Sequence, residues 1–352
     1  MNSAGAEVVQ VIRGRRDRPD AATFAGSGKV EEIKLAILEH RADFVVFDQQ
    51  LSAAQIRNLE RALSEGAAAV QVYDRTDIIL NIFAQRARTN EGKLQVELAR
   101  LEHLSTRLVK GWTHLERQRG SLGKTGGPGE KQIELDRRMI GEQVKKLKEK
   151  IKKVGRVRAT QRARRVRSGI LRVSIVGYTN AGKSTLFNRL TGAGALAANQ
   201  LFATLDTTLR KVHVPGAGPV VLSDTVGFIR DLPHDLIAAF RSTLTEAADA
   251  DLLLHVVDGS SDERDMQERA VDEVLAEIGA GEMPRIRVVN KIDTTGLSPG
   301  VERDACGTIA SVRLSALTGA GCDELLSALA ERFPAGAGHA PSTADAAEIH
   351  DD

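Results

Sequence analysis

The segment LRVSIVGYTNAGKS (171–184) constrains this chain more than any other. An apolar run of strand length ends in Gly177-Tyr178-Thr179-Asn180-Ala181-Gly182-Lys183-Ser184, and a helical pattern follows. The eight residues fit G-x-x-x-x-G-K-[ST] in the strand–loop–helix setting that the motif needs. The glycines let backbone N–H groups wrap phosphates. Lys183 brings positive charge to the β- and γ-phosphates, and the Ser184 hydroxyl is placed to ligate Mg²⁺. Further strand-length runs follow at 220–224 (VVLSD), 251–258 (DLLLHVVD), 285–293 (RIRVVNKID) and 310–316 (ASVRLSA), with helical segments between them. Such alternation predicts an α/β unit, which closes near Phe333.

Three more motifs lie downstream in order. Asp224-Thr225-Val226-Gly227 ends a predicted strand 40 residues after Ser184, where a carboxylate can hold the outer Mg²⁺ shell and the Gly227 N–H can meet a γ-phosphate. Asn290-Lys291-Ile292-Asp293 ends another predicted strand, and Ser315-Ala316-Leu317 closes the next. This order is similar to that of the GTP-binding domain of translation-factor-type GTPases. The resemblance implies that Asp293 accepts both hydrogens from guanine N1 and N2, that Asn290 supports the base, and that a backbone N–H of the Ser315 segment meets guanine O6. Adenine lacks that donor pair, and leaving a carboxylate unpaired can discriminate by about 10⁴-fold.

Length allows two or three domains at roughly 100–200 residues each. Upstream of the phosphate loop, residues 7–12, 42–48 and 70–74 read as strands. Residues 29–40, with Ile33, Leu35, Ile37 and Leu38, and residues 52–66, with a Ser52 cap and Ile56, Leu59 and Leu63, read as helices. Together they predict a small parallel α/β layer. From Asp77 a helical pattern continues to about residue 118, then a Gly-rich stretch, then a second helical run from about Leu135 to Arg167 carrying Val144, Leu147, Ile151 and Val154. This predicts a long antiparallel helical hairpin with a tip longer than ordinary helix connections. The expected division is an α/β subdomain (1–92), the hairpin (93–168) with its tip (119–132), the nucleotide domain (169–334) and a disordered tail (335–352). Trp112 and His114 read as packing residues near the tip.

The formal net charge of +2 conceals a segregation. Residues 107–167 hold 20 Lys and Arg against 6 Asp and Glu, an excess of +14 that leaves −12 for the rest. A solvated lysine-rich helix face would account for part of this. A run so long and one-signed, beside a nucleotide site, favours a polyanion partner.

The flanks narrow the resemblance. DIILNIFAQRARTNEGKLQVELARLEHLSTRLVKGWTHLER (77–117), the tip GGPGEKQIELDRR, LFATLDTTLRKV and DTVGFIRDLPHDLIAAFRSTL together resemble the HflX family of ribosome-associated GTPases over roughly residues 7–333. The resemblance implies GTP hydrolysis, binding to the large (50S) ribosomal subunit and its rRNA, and splitting or recycling of stalled or idle ribosomes, with the hairpin reaching toward the peptidyl transferase centre. It implies that Phe202, Ala203, Thr204, Leu205 and Asp206 meet the nucleotide. Thr204 is the expected second Mg²⁺ ligand, with Thr207 and Thr208 as competitors. Asn180 stands where similar GTPases hold K⁺, although it could equally shape the loop. Lys183, Thr204 and Gly227 are the expected catalytic set. Phe228 follows DTVG where many GTPases place a water-orienting glutamine, so slow intrinsic hydrolysis is expected. Thr207 stands where many members have proline, the tip departs from the common family form, the further C-terminal domain of some members has no counterpart, and the N-terminal layer starts late.

No apolar run reaches the 18 residues of a membrane span, and Cys306 and Cys322 are too few for a disulfide framework or zinc site. A cytoplasmic monomer with at most loose membrane association is expected. Aromatic residues at 3% disfavour base-stacking RNA modules. A second reading is an rRNA-binding or remodelling factor with ATP-dependent unwinding, since family members have been linked to it.

Overall fold

Val30, Ile33 and Ile37 recur at the spacing of one helix face, and they are the apolar residues that helix α1 (Ser27–His40) buries. Leu35 and Leu38, expected on that face, are 59% and 51% exposed. Leu38 falls one position and Leu35 two positions off the Val30–Ile33–Ile37 stripe, and both are turned from the core. The computed structural model describes residues 4–64, 69–110, 128–167, 170–192, 201–230, 233, 236 and 240–334. It resolves into two compact units, Met1–Gln85 with Leu94–Lys150, and Arg86–Lys93 with Ile151–Asp352.

In the first unit, strand β1 (Phe44–Phe47) and strand β2 (Gln71–Asp74) pair in parallel, Phe44 opposite Gln71 and Phe47 opposite Asp74. Helix α2 (Ala53–Ser64) crosses between them and buries Ile56, Leu59 and Leu63. Its start is a reciprocal cap: the Gln55 N–H donates to Ser52 Oγ at 3.2 Å, and the Ser52 N–H donates to Gln55 Oε1 at 2.9 Å. Residues 7–12 form no strand. The run is apolar enough for a strand, but Val8, Val9 and Val11 lie exposed, with no neighbouring strand among the described residues to complete a ladder.

Helix α3 (Arg75–Arg86) and helix α4 (Asn90–Lys110) replace the single helical run expected from Asp77. The break at residues 87–89 has a local cause. Thr89 Oγ1 accepts the Gly92 N–H at 3.0 Å and the Thr89 carbonyl accepts the Lys93 N–H at 3.1 Å, so Thr89 caps a new helix. Helix α5 (Pro128–Arg167) starts earlier than expected, with proline at its first position, where a missing N–H costs nothing. Within the first unit, Lys148 of α5 reaches Glu102 of α4 at 2.8 Å, and Leu147 beside it is buried. Trp112, His114, tip residues 119–127 and the tail from 335 lie outside the described residues.

The second unit carries strand β3 (Leu171–Gly177), helix α6 (Lys183–Thr191), strands β4 (Thr208–Val214) and β5 (Gly218–Asp224), and helix α7 (Arg241–Ala248). Strand β6 (Leu252–Asp258), helix α8 (Arg264–Glu277), strand β7 (Arg285–Asn290), the short helix α9 (Ile292–Thr295), strands β8 (Gly300–Arg303) and β9 (Ile309–Arg313), and helix α10 (Cys322–Arg332) complete it. The sheet order is β4-β5-β3-β6-β7-β9-β8. The five inner strands run parallel, while β4 and β8 are antiparallel edges. Sequence reading found the inner strands and missed both edges. Ile175, Leu186, Phe187, Leu222, Leu254 and Val288 form the centre of the core between sheet and helices. The loops after β3, β5, β7 and β9 all leave the carboxyl ends of parallel strands, where open α/β sheets place their ligands.

Candidate nucleotide-binding site

Strand β3 ends at Gly177, whose φ is 149°; a Cβ there would lie 2.2 Å from the Val256 carbonyl oxygen. Asn180 (φ 64°) and Gly182 (φ 96°) then turn the loop through left-handed conformations into α6. Lys183 opens that helix. Its Nζ is buried and donates to the Tyr178 carbonyl at 2.7 Å. Burial pulls its pKa down to about 8, against the opposing pull of the Asp224 carboxylate.

Three oxygens converge beside the lysine. Ser184 Oγ donates to Asp224 Oδ2 at 2.7 Å, Thr204 Oγ1 donates to the same oxygen at 2.8 Å, and the two hydroxyls are 2.8 Å apart. Thr208, a competitor by sequence, is the first residue of β4, across the ladder from Asp224. Asp224 is 1% exposed, and burial pushes its carboxyl upward despite hydrogen bonds from Ser184 and Thr204 and the nearby lysine charge. Its second oxygen, Oδ1, is buried with no hydrogen-bond partner among the described residues. Two hydroxyls and an under-satisfied buried carboxylate make an all-oxygen donor set that fits Mg²⁺.

Gly227 closes over this group. A Cβ on it would lie 2.8 Å from Thr179 Cγ2 and 3.0 Å from Lys183 Nζ. The next residue, Phe228, is 1% exposed. Its N–H donates to the Gly177 carbonyl at 3.1 Å and its carbonyl accepts the Thr179 N–H at 2.7 Å. The backbone here clips to the phosphate loop while the ring goes into the core.

On the opposite side, Asn290 is buried. Its Nδ2 donates to the Ala181 carbonyl at 2.8 Å and its Oδ1 accepts the Ala316 N–H at 2.9 Å. It therefore braces the phosphate loop against the Ser315 loop, a role not visible in sequence. Asp293 Oδ1 accepts the Ser315 hydroxyl at 2.5 Å, which orients the carboxylate. Lys291, itself left-handed at φ 67°, pairs with Asp258 at 2.7 Å. The Arg189 guanidinium donates to the carbonyls of Ala316 and Leu317 and holds their loop.

A cavity of about 330 Å³ joins these groups, with Lys183, Ser184, Thr204 and Gly227 at one end and Lys291 and Asp293 at the other. Thr179, Asn180, Gly182, Phe202, Ala203, Thr225, Asn290, Ala316 and Leu317 also line it. Thr185 and Thr294 line it too, and sequence reading missed both; each directly follows a residue it did select. Gly177, Tyr178, Ala181, Leu205, Asp206, Asp224, Val226, Ile292 and Ser315 do not line it. Leu205, Val226 and Ile292 are apolar and buried in the core, and Asp224 and Ser315 act from behind through Ser184 and Asp293. Asp206, expected at the nucleotide, instead turns its carboxylate to Arg88 and Thr89.

Comparison with known proteins reaches most of the chain. Residues 1–84 match the family described as GTP-binding GTPase N-terminal, residues 86–165 the GTP-binding GTPase Middle Region, and residues 172–291 the 50S ribosome-binding GTPase family. The GTPase HflX of Escherichia coli (strain K12) is 52% identical over 334 residues, covering 95% of this chain and 77% of that protein. The GTPase HflX of Magnetococcus marinus is 51% identical over 309 residues, covering 88% and 70%. A crystal structure of SsGBP in complex with GDP shares the fold, with a TM-score of 0.50 at 23% identity over 94% of this chain and 92% of that one. Identity above one half, sustained across nearly all of its residues, makes the chain a GTPase of the HflX family.

Proposed function

We propose that this GTPase binds the large ribosomal subunit in its GTP form through the basic face of α5, and that its GTP cycle splits or recycles stalled or idle ribosomes. The observation that carries this reading is the exposure of Lys145, Lys146, Lys150, Lys152, Lys153 and Arg156 along α5. A row of unburied cations on one helix is the chemistry that phosphate backbones recognise. The match of residues 172–291 to a 50S ribosome-binding GTPase family supports the same partner. No helix among the described residues is long and apolar enough to cross a membrane. The proposed setting is the cytoplasm, and the proposed form a monomer.

In this reading Ser184 and Thr204 would ligate Mg²⁺, with Asp224 supporting its outer shell, and the ion would supply positive charge against the phosphates. Lys183 exchanges the Tyr178 carbonyl for phosphate oxygens. The Gly227 N–H senses the γ-phosphate, and Asp293, pre-oriented by Ser315, selects guanine. Asn180 is exposed on the cavity rim, and we assign it to a K⁺ ion. The buried Phe228 ring cannot align a water, so acceleration of hydrolysis falls to the ribosome.

The test is co-sedimentation and sucrose-gradient separation of subunits with GTP, a non-hydrolysable analogue and GDP. Preference for the GTP forms is expected, with affinity falling steeply as salt rises. A variant carrying Lys145→Glu, Lys150→Glu and Lys152→Glu should lower the log–log salt slope by about 2–3 and keep its GTP affinity. Equal binding in all three nucleotide states would overturn the switch. Displacement of GTP by ATP at comparable concentration would instead favour the RNA-unwinding reading. Turnover measured in K⁺ and then Na⁺ checks Asn180.

A further inference from the structure

Asp206 stands two residues beyond Thr204, and both of its carboxylate oxygens are engaged away from the cavity. Oδ2 accepts the N–H of Arg88 at 2.7 Å and of Thr89 at 2.9 Å, and Oδ1 accepts the Thr89 hydroxyl. All three donors come from the two residues that precede α4. Thr89 is also that helix's cap, through its bonds to Gly92 and Lys93. The fit is close: a Cβ on Gly92 would lie 2.2 Å from Asp206 Oδ1, so the first turn of α4 leaves room for the carboxylate only because glycine is there. Gly92 has no positive φ, so its value lies in space rather than in backbone freedom.

The segment that carries the two anchors is short and fixed. Phe202 and Leu205 are buried, Phe202 holds a left-handed φ of 53°, and Thr204 sits on Ser184 and Asp224. With Thr204 tied at one end and Asp206 at the other, only Leu205 lies between. Displacing either end must move the other or break its hydrogen bonds. Charge reinforces the anchor, since a carboxylate facing the N-terminus of a 21-residue helix meets the positive end of its dipole.

We infer that Asp206 is a positioning residue: it holds Thr204 in place for the Mg²⁺–GTP state by anchoring its segment to the start of α4. The inference rests on the reading of Thr204 as an Mg²⁺ ligand. Coupling of this kind is reciprocal, so a change at the first turn of α4 alters the preference for GTP, and GTP alters the order of that turn.

The experiment compares binding of a fluorescent non-hydrolysable GTP analogue and of fluorescent GDP, each with Mg²⁺ and with EDTA, to the full chain. Asp206→Ala should weaken the analogue in Mg²⁺ about tenfold and change GDP by less than about twofold. It should also speed amide hydrogen exchange at residues 88–93 and 202–206 in the nucleotide-free protein. Gly92→Ala supplies a probe from the other side. Alanine favours helix more than glycine does, yet its methyl displaces the carboxylate, so it should shift nucleotide preference in the same direction. Loss of analogue and GDP to the same extent, or of neither, overturns the inference. Thr204→Ala separates the two levels. If it removes the Mg²⁺-dependent preference while Asp206→Ala does not, only the role of Asp206 fails. If it has no effect, the ligand assignment of Thr204 fails and takes this inference with it.

Discussion

Replacing Asn290 with alanine tests the brace between the phosphate loop and the guanine side. The amide is 2% exposed and satisfies two backbone groups, the Ala181 carbonyl at 2.8 Å and the Ala316 N–H at 2.9 Å. Alanine leaves both without their partner in a buried setting, and each such group costs about 1–3 kcal/mol. The combined cost is about 2–6 kcal/mol. Both bonds are made within the protein itself, so the loss registers first as stability. For a domain of this size about 4 kcal/mol corresponds to a Tm drop of roughly 8–16 °C. The loops released are those that grip the two ends of the nucleotide, so GTP and GDP affinity should fall together, by roughly 10–10³-fold. Thermal unfolding with and without GDP, followed by titration with both nucleotides, reads each part. A variant with unchanged Tm and affinity would refute the brace. A variant with unchanged Tm but lost GTP affinity would show that Asn290 acts on the base and not on the loops.

Three further outcomes are expected. Burial holds the Lys183 pKa down at about 8, and phosphates favour its charged form. GTP binding should therefore take up a proton above pH 8 and weaken by up to about tenfold per pH unit there, which calorimetry in buffers of different ionisation heat detects; a flat affinity from pH 8 to 9.5 contradicts it. Phe228→Gln should not accelerate hydrolysis, because that side chain lies in the core, and burying the amide should cost about 2–4 kcal/mol by chemical denaturation; faster intrinsic turnover would show that position 228 can reach the water. In the first unit, burial alone would raise the Asp77 carboxyl, but the His103 ring at 3.4 Å and hydrogen bonds from Arg107 and the Asp74 N–H overcome it and hold the pKa at about 2. Its contribution of up to about 2 kcal/mol is present above pH 4 and lost as pH falls toward 2. Arg107→Ala should flatten acid unfolding in that window, and an unchanged profile would deny the pairing.

What sequence reveals here follows from where each constraint resides. Gly177, Gly182, Lys183 and Ser184 are legible because one loop shape and one ligand chemistry demand those residue types at that spacing. Inner strands such as β3 and β6 are legible because both faces are buried and the residues read as continuous apolar runs. The edges β4 and β8 are not: TLRKVHV and GVER carry charges and exist as strands because β5 and β9 offer ladders beside them. Residues 7–12 fail in the opposite sense, with β-branched residues and no neighbouring strand among the described residues. The Asn290 brace and the turn of Asp206 toward Thr89 join residues more than 100 positions apart. Neither the NKID nor the FATLD pattern encodes that separation.

The same edge strands decide how this sheet ends. Strand β4 presents Arg210, Lys211 and His213 exposed, and β8 carries exposed Glu302 and Arg303 with a register irregularity between them. Charges and a bulge on a free ladder discourage any foreign strand from joining it. Growth of the sheet into fibres or strand-to-strand dimers is therefore resisted from both sides. Surfaces left for lasting contacts are those made by helices and loops.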